Sequence, residues 1–412
     1  MQNLQINPQR LWDTLMETAK IGGTQKGGIC RLTLTDLDRQ VRDWFKAQCA
    51  ALGLTVSVDE VGNMFARRPG RNDGLHPIAM GSHLDTQPTG GKFDGALGVL
   101  GALEAMRTLV ETGYETNAPI AIVNWTNEEG SRFAPAMLAS GVFAGVFTPD
   151  FAYARTDRDG KSFGDELKRI GYMGVEKAGA RKLGAMFELH IEQGPILEDE
   201  AKMIGVVQGV PGMRWYEVTV TGQEAHTGAT PMRLRKNALL GAARMIERID
   251  AIAWEHAPNA VGAVGLIENK PNSRNVVPGE VFFTVDFRHP DDNVLDVMET
   301  KLRAALAEIL QPLKLSYQEA RIWHSPAVNF APELIECVRL GADKSGFKSR
   351  DMISGAGHDA AYIARVAPTT MIFVPCAGGI SHNEAESTSF DECAAGAQVL
   401  LNAVLEYDRR LG

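Results

Sequence analysis

The sequence predicts an α/β protein whose chain is interrupted by a separate α+β unit. Short apolar runs at 77–83, 119–125, 185–195 and 369–375 have the continuous apolar character of strands buried on both faces of a sheet. Helical patterns lie between them. Near Gly209 the character changes, and RWYEVTVTGQEAH (214–226) alternates apolar and polar residues as a half-exposed antiparallel strand does.

Taken in order, Asn7 and Pro8 open a first helix to about Lys20, as a cap and a first-turn residue do. From Thr35 the pattern is helical again: Leu37, Val41, Trp44/Phe45 and Leu52 share a face interrupted only by Gln48, and Gly53 ends it. Strands are expected at 55–60 and 63–68, then at 77–83. The stretch from Asp94 to about Glu111 is small and apolar, which suits a helix packed tightly on a sheet. The strand at 119–125, surface helix and loop over 163–172 and 176–184, and the strand at 185–195 follow. Beyond Gly209 come a strand, a helix at 235–257, strands at 260–267 and 280–288, a helix at 292–311 and a strand at 314–323. That order fits a small inserted domain over 212–325, leaving 1–211 and 326–412 as the main domain. The main domain resumes with a helix at 332–344, the loop SGAGHD, the strand at 369–375 and a last helix at 391–408.

Bulk properties narrow the function. The chain has 412 residues, enough for two domains and a large core, and a net charge of -9, which argues against nucleic acid or an anionic membrane as partner. Cys30, Cys49, Cys337, Cys376 and Cys393 are scattered, with no C-x-x-C, which suggests reduced thiols and a cytoplasmic location. The N-terminus lacks a signal-peptide pattern, and no apolar run reaches the roughly 20 residues of a membrane span.

The chemistry gathers at strand ends. His83 closes the strand at 77–83, Asp85 follows, and a Pro/Gly-rich loop leads to Asp94. His83 and Asp94 are good ligands for zinc or a similar divalent ion, and Asp85 is placed to accept the second ring N–H of His83. Glu128 and Glu129 follow the strand at 119–125, and His190, Glu192 and Gln193 stand at the end of another. His226, His358 and His382 also lie in Gly-rich or acidic loops, whereas His76, His256, His289 and His324 have ordinary polar or edge surroundings. His83, Asp94, Glu129, His190 and His382 make the N/O set that two divalent ions need if one carboxylate bridges them. Glu128, beside a ligand, is then the general base.

The motifs GSHLDTQPTGGKFDG, NEEGSRF, ELHIEQGPILEDE, AHTGATPMRLRKNAL, NVVPGEVFFTVDFRHP, SGAGHDAA and GISHN resemble those of the hydantoinase/carbamoylase family of di-metal amidohydrolases, within the aminoacylase and carboxypeptidase-type metallopeptidase superfamily. The wording HLDTQP, RLRKNALL and HSPAVNF is most similar to yeast-type β-ureidopropionases. The resemblance implies a zinc-peptidase-like mixed sheet flanked by helices, with a ferredoxin-like lid and dimerisation domain inserted. It implies that Asp94 bridges two metals, with His83 and His190 set against one and Glu129 and His382 against the other, and it leaves open which histidine goes with which metal. Zn²⁺ is expected, with Mn²⁺, Co²⁺ or Ni²⁺ as alternatives. Further implications are Glu128 as general base, His226 on the substrate or oxyanion, Asn275 and Arg288 on the substrate carboxylate, and Gln193, Gly357 and His358 lining the pocket. The expected reaction is cleavage of the ureido C–N bond of N-carbamoyl-β-alanine, with allantoate or a range of N-carbamoyl-L-amino acids as alternatives. The expected assembly is a homodimer through the lid, with no nucleic-acid or membrane partner.

Overall fold

The structure, a computed structural model, describes residues 4–412. The chain forms two compact units, one from the residues up to Gly209 together with Phe330–Gly412, the other Val210–Asn329.

In the first unit the sheet runs, in spatial order, Thr55–Val58, Met64–Arg68, Ile120–Trp125, Ile78–His83, Ala185–Ile191, Thr369–Val374 and Ile204–Val210. The strand Ile78–His83 is parallel to both of its neighbours, and Thr369–Val374 is parallel to Ala185–Ile191. Met64–Arg68 and Ile204–Val210 join this parallel centre antiparallel, so the sheet is mixed. Every residue of the central strands Ile78–His83, Ile120–Trp125, Ala185–Ile191 and Thr369–Val374 is buried, which is why their sequences are continuous apolar runs. Parallel pairing brings their C-terminal ends to one edge, and the loops that leave that edge carry the polar residues. In open α/β sheets this edge is where ligands bind.

The flanking helices start where their capping chemistry directs. Asn7 caps Pro8–Thr18, Thr35 caps Asp36–Ala51, and Ser389 with Glu392 forms a capping box on Phe390–Arg409. The helix Ala96–Glu111 is buried over almost its whole surface, as its small apolar composition requires.

The second unit is an antiparallel sheet in the order Ile267–Lys270, Glu280–His289, Gly212–Thr221 and Ser316–Ser325. Its two helices, Ala238–Trp254 and Asp292–Leu310, complete the ferredoxin-like order. Tyr216, Val218 and Val220 alternate inward along one strand, and Val281, Phe283, Val285 and Phe287 along its neighbour; together they form the unit's core. Two strands of the first unit, Ile204–Val210 and Ser349–Ile353, lie outside the sequence expectation. All five cysteines are free thiols, and no helix among the described residues is long and apolar enough to cross a membrane.

Candidate metal centre

Three strand ends and one loop of the first unit converge. His83 ends its strand, and its ring Nδ1 lies 2.9 Å from the Asp85 main-chain carbonyl. This corrects the expected role of Asp85. The carbonyl holds the ring, while the carboxylate is 4.0 Å from Nδ1 and instead accepts the main-chain N–H groups of Glu128 and Glu129. The physical reason is the loop's own direction: the chain turns back over the imidazole, which presents the backbone oxygen to it. Asp85 thus links the loop after one strand to the loop after the next.

His190 is held the same way, its Nδ1 2.9 Å from the Ile191 carbonyl. Both imidazoles therefore donate through Nδ1 and aim Nε2 at Asp94, whose Oδ1 is 3.5 Å from His83 Nε2 and 3.2 Å from His190 Nε2. The other oxygen of Asp94 turns the opposite way. Its Oδ2 is 3.5 Å from His382 Nε2, which is also 3.5 Å from Glu129 Oε2. The predicted ligands thus fall into the two groups His83–Asp94–His190 and Asp94–Glu129–His382, with the ligating atoms of each group within 4.8 Å of one another.

The turn that presents Glu128 and Glu129 begins at Asn127, which sits at φ 60° and anchors itself through Nδ2 to the Phe133 carbonyl at 2.8 Å. Asparagine tolerates that left-handed conformation better than most residues. Glu128 is buried, and its Oε2 lies 3.5 Å from His83 Nε2. Burial, and then the charges of Asp359, Glu129 and Asp94, push its carboxyl well above the usual carboxylate range against the pull of His83. Burial also opposes ionisation of Asp94, but His190 and His83 outweigh it and hold that carboxyl well below its ordinary value.

These residues fit a bound cation. Asp85, Asp94, Glu128 and Glu129 are buried together, and a buried set of carboxylates is costly unless positive charge balances it. His83 Nε2 is buried with no hydrogen-bond partner and faces two carboxylate oxygens, each at 3.5 Å. Against its burial, Glu128, Asp94 and Asp85 drive the His83 imidazole well above its usual range, so the site takes up a proton where a metal ion would supply the charge. The donor set of two imidazoles, one imidazole on a loop, and carboxylates suits a divalent ion of the zinc type.

Gln193, at φ 59°, donates from Nε2 to Asp94 Oδ2 at 2.9 Å and to Ser381 Oγ at 3.1 Å. Glu192 caps the short helix Ile196–Asp199 by accepting the Ile196 and Leu197 N–H groups. His358 is buried, with its ring centroid 4.5 Å from that of His190 and its Nε2 3.1 Å from Ser354 Oγ. Burial and then the neighbouring His190 push the His358 imidazole well below its usual range, so it is a neutral ring behind His190. Gly357 precedes it beside the Met137 side chain. In the second unit, His226 and Asn275 are neighbours: Val276 pairs with His226, and the Thr227 N–H reaches the Asn275 carbonyl at 3.0 Å. Arg288 lies near the end of Glu280–His289, its Nη2 2.9 Å from Asp286 Oδ2.

Sequence reasoning missed several supports. Gln87 grips Glu129, with its main-chain N–H 3.0 Å from Oε1 and its Nε2 2.6 Å from Oε2. Glu188 accepts from Ser82 Oγ at 2.6 Å and from the Ala360 N–H at 3.0 Å. Glu386 accepts the Phe93 and Asp94 N–H groups. The signals were present: Gln87 lies in HLDTQP, Glu188 two residues before His190, and Glu386 four residues after His382.

The profile of the peptidase family M20/M25/M40 matches residues 79–406. The chain is 56% identical to an N-carbamoyl-L-amino-acid amidohydrolase of Rhizobium meliloti, covering 98% of this chain and 97% of the relative. It is 34% identical to an allantoate amidohydrolase of Bacillus subtilis, covering 93% of each. A crystal structure of a hydantoinase/carbamoylase family amidase from Burkholderia multivorans superposes with a TM-score of 0.95 at 55% identity, over 98% of both chains. With these identities spread over nearly the whole length and the family's profile spanning the strand ends just described, the chain belongs to the peptidase family M20/M25/M40, as a hydrolase of its hydantoinase/carbamoylase group.

Proposed function

We propose that the protein hydrolyses the ureido C–N bond of N-carbamoyl amino acids, giving the free amino acid, ammonia and carbon dioxide. The observation that carries this reading is Asp94 facing two ligand groups with Glu128 buried beside them. Relatives named for N-carbamoyl-L-amino acids support placing the L-α compounds first as substrates. The sequence wording alone favoured N-carbamoyl-β-alanine, which stands as the narrower alternative, and the allantoate amidohydrolases supply the other.

In this reading His83, Asp94 and His190 would hold one divalent ion and Asp94, Glu129 and His382 a second, zinc first and manganese, cobalt or nickel as alternatives. When bound, such a pair lowers the pKa of a water and polarises the ureido carbonyl. Glu128, buried beside the ligand groups, receives the proton of the attacking water. It then delivers that proton to the amino-acid nitrogen as the C–N bond breaks, and the released carbamate decomposes to ammonia and carbon dioxide. Gln193 steadies the shared carboxylate, and His358 backs His190. His226 accepts the Gly228 and Ala229 N–H groups at Nδ1, each at 3.1 Å, which leaves Nε2–H free to donate to a developing oxyanion. Asn275 and Arg288 take the substrate carboxylate; the guanidinium fork, oriented by Asp286, suits bidentate pairing. The 210–329 unit acts as lid and dimer contact, so that His226 reaches the active site of a second subunit.

The test is ammonia release by purified protein reloaded with Zn²⁺ or Mn²⁺, offered N-carbamoyl-L-methionine, N-carbamoyl-β-alanine and allantoate. Highest kcat/KM on the methionine derivative is expected. Preference for either other substrate would retain the mechanism and replace the substrate, and inactivity on all three would overturn the reading. Sedimentation of the reloaded protein as a monomer would remove the dimer from it.

A further inference from the structure

We infer that Glu386 is a positioning residue for the metal centre: its carboxylate clamps the loop that carries Asp94 to the loop that carries His382, and so sets the Asp94 oxygen that the two loops share. The inference rests on the reading of Asp94 as the common ligand.

Glu386 is buried, and each of its oxygens serves a different loop. Oε1 accepts the main-chain N–H groups of Phe93 at 3.2 Å and Asp94 at 3.0 Å. Oε2 accepts the hydroxyl of Ser381 at 3.0 Å. Ser381 Oγ in turn lies 3.3 Å from Asp94 Oδ2, the oxygen that faces His382 and Glu129. His382 needs such support. It sits in a segment with no helix or strand, half-exposed, in the left-handed region at φ 53°, so no ladder of backbone hydrogen bonds fixes where its imidazole points. The clamp has its own space: a Cβ on Gly91 would lie 2.1 Å from Glu386 Oε1, so only glycine admits the carboxylate there. His83 and His190, by contrast, are fixed by strands and by carbonyls that Glu386 does not touch. Through Asp94 the clamp touches both ligand groups, but it bears hardest on the one with His382, whose loop it also holds through Ser381.

The experiment is stepwise Co²⁺ titration of the metal-stripped protein, read by visible absorption and isothermal calorimetry, with circular dichroism and thermal melting alongside. Glu386→Gln keeps the shape and an Oε1 acceptor but turns an amide N–H₂ toward Ser381. We expect one Co²⁺ to bind roughly 10–100-fold more weakly and the other to weaken clearly less, with an altered Co²⁺ spectrum, as is usual when a residue supporting a ligand is removed. Gly91→Ala, which displaces the same carboxylate, and Ser381→Ala should weaken the same site, and they carry the test if Glu386→Gln does not fold. Unchanged binding at both sites, or equal weakening of both together with a lowered melting temperature, would overturn the clamp. Asp94→Ala distinguishes this from failure of the metal-centre reading. If that variant still binds two Co²⁺ as tightly as the parent, the shared ligand is wrong; if it loses them while the Glu386 variants do not, only the clamp is wrong.

Discussion

Gly95 follows Asp94 at φ 65°, and a Cβ there would stand 2.3 Å from the His83 ring. Backbone strain and the ring clash act together, since the left-handed region disfavours a side chain and the imidazole has no room to retreat. Gly95→Ala should therefore bind metal more weakly by at least about tenfold while its far-UV circular dichroism stays that of the parent; unchanged metal affinity would contradict the placement of the ring. Glu128 calls for the opposite signature. Glu128→Gln preserves the volume and removes the proposed proton acceptor, so kcat should fall by about 10²–10⁴ with metal content unchanged, measured on the same preparation by elemental analysis and ammonia release. At this scale the sequence spoke clearly where a residue's type limits its chemistry. His83, Asp94, Glu129, His190 and His382 could be picked out because each stands at a strand end or loop where a structural use is harder to find. The Asp85 carbonyl could not, because every residue has one and only the turn decides which points at the ring.

Helix Asp36–Ala51 shows how an element supports the site from behind. Arg42 is buried and bonds to Asp38 Oδ2 at 2.8 Å, to the Gly62 carbonyl at 2.9 Å and to Thr126 Oγ1 at 3.1 Å. It thereby ties the helix to the loop that presents Glu128 two residues later. Removing one member of a buried pair strands the other's charge, so Arg42→Met should destabilise the protein by about 3–5 kcal/mol in urea unfolding. A loss below about 1 kcal/mol would mean that Asp38 finds another partner. The central strands were legible because burial on both faces fills residues 78–80 and 371–374 with consecutive apolar side chains and confines the polar ones to the strand ends. Ile204–Val210 is interrupted by Gly205 and Gly209, and Ser349–Ile353 is half-exposed with Arg350 and Asp351 within it. Both are strands because a neighbouring strand offers them hydrogen bonds, and pattern alone does not record that.

Across the whole molecule, one edge of the sheet concentrates buried carboxyl groups beside imidazoles, and metal uptake must depend on pH in consequence. His190, like His83, lies above its ordinary imidazole value: burial lowers it, and the contact and charge of Asp94 outweigh that. A ligand imidazole must shed its proton before it binds metal. Apparent affinity is therefore full above these raised values and is lost as pH falls through them, beginning above the ~6.5 of a free imidazole. Competition with a chromophoric chelator between pH 8.5 and 6 should show the decline; a flat profile would contradict it. The change of strand pattern at Gly209, where continuous apolar runs give way to alternation, reflects a sheet buried on one face only, and the alternating burial along Gly212–Thr221 bears that out. The grouping of ligands was not legible in this way, since it depends on which oxygen of Asp94 turns toward which strand end. Anomalous diffraction from a zinc-loaded crystal measures that grouping directly. Two peaks roughly 3.5–4 Å apart are expected with Asp94 between them, one against His83 and His190 and the other against Glu129 and His382. A single peak, or a second one away from Asp94, would contradict that grouping.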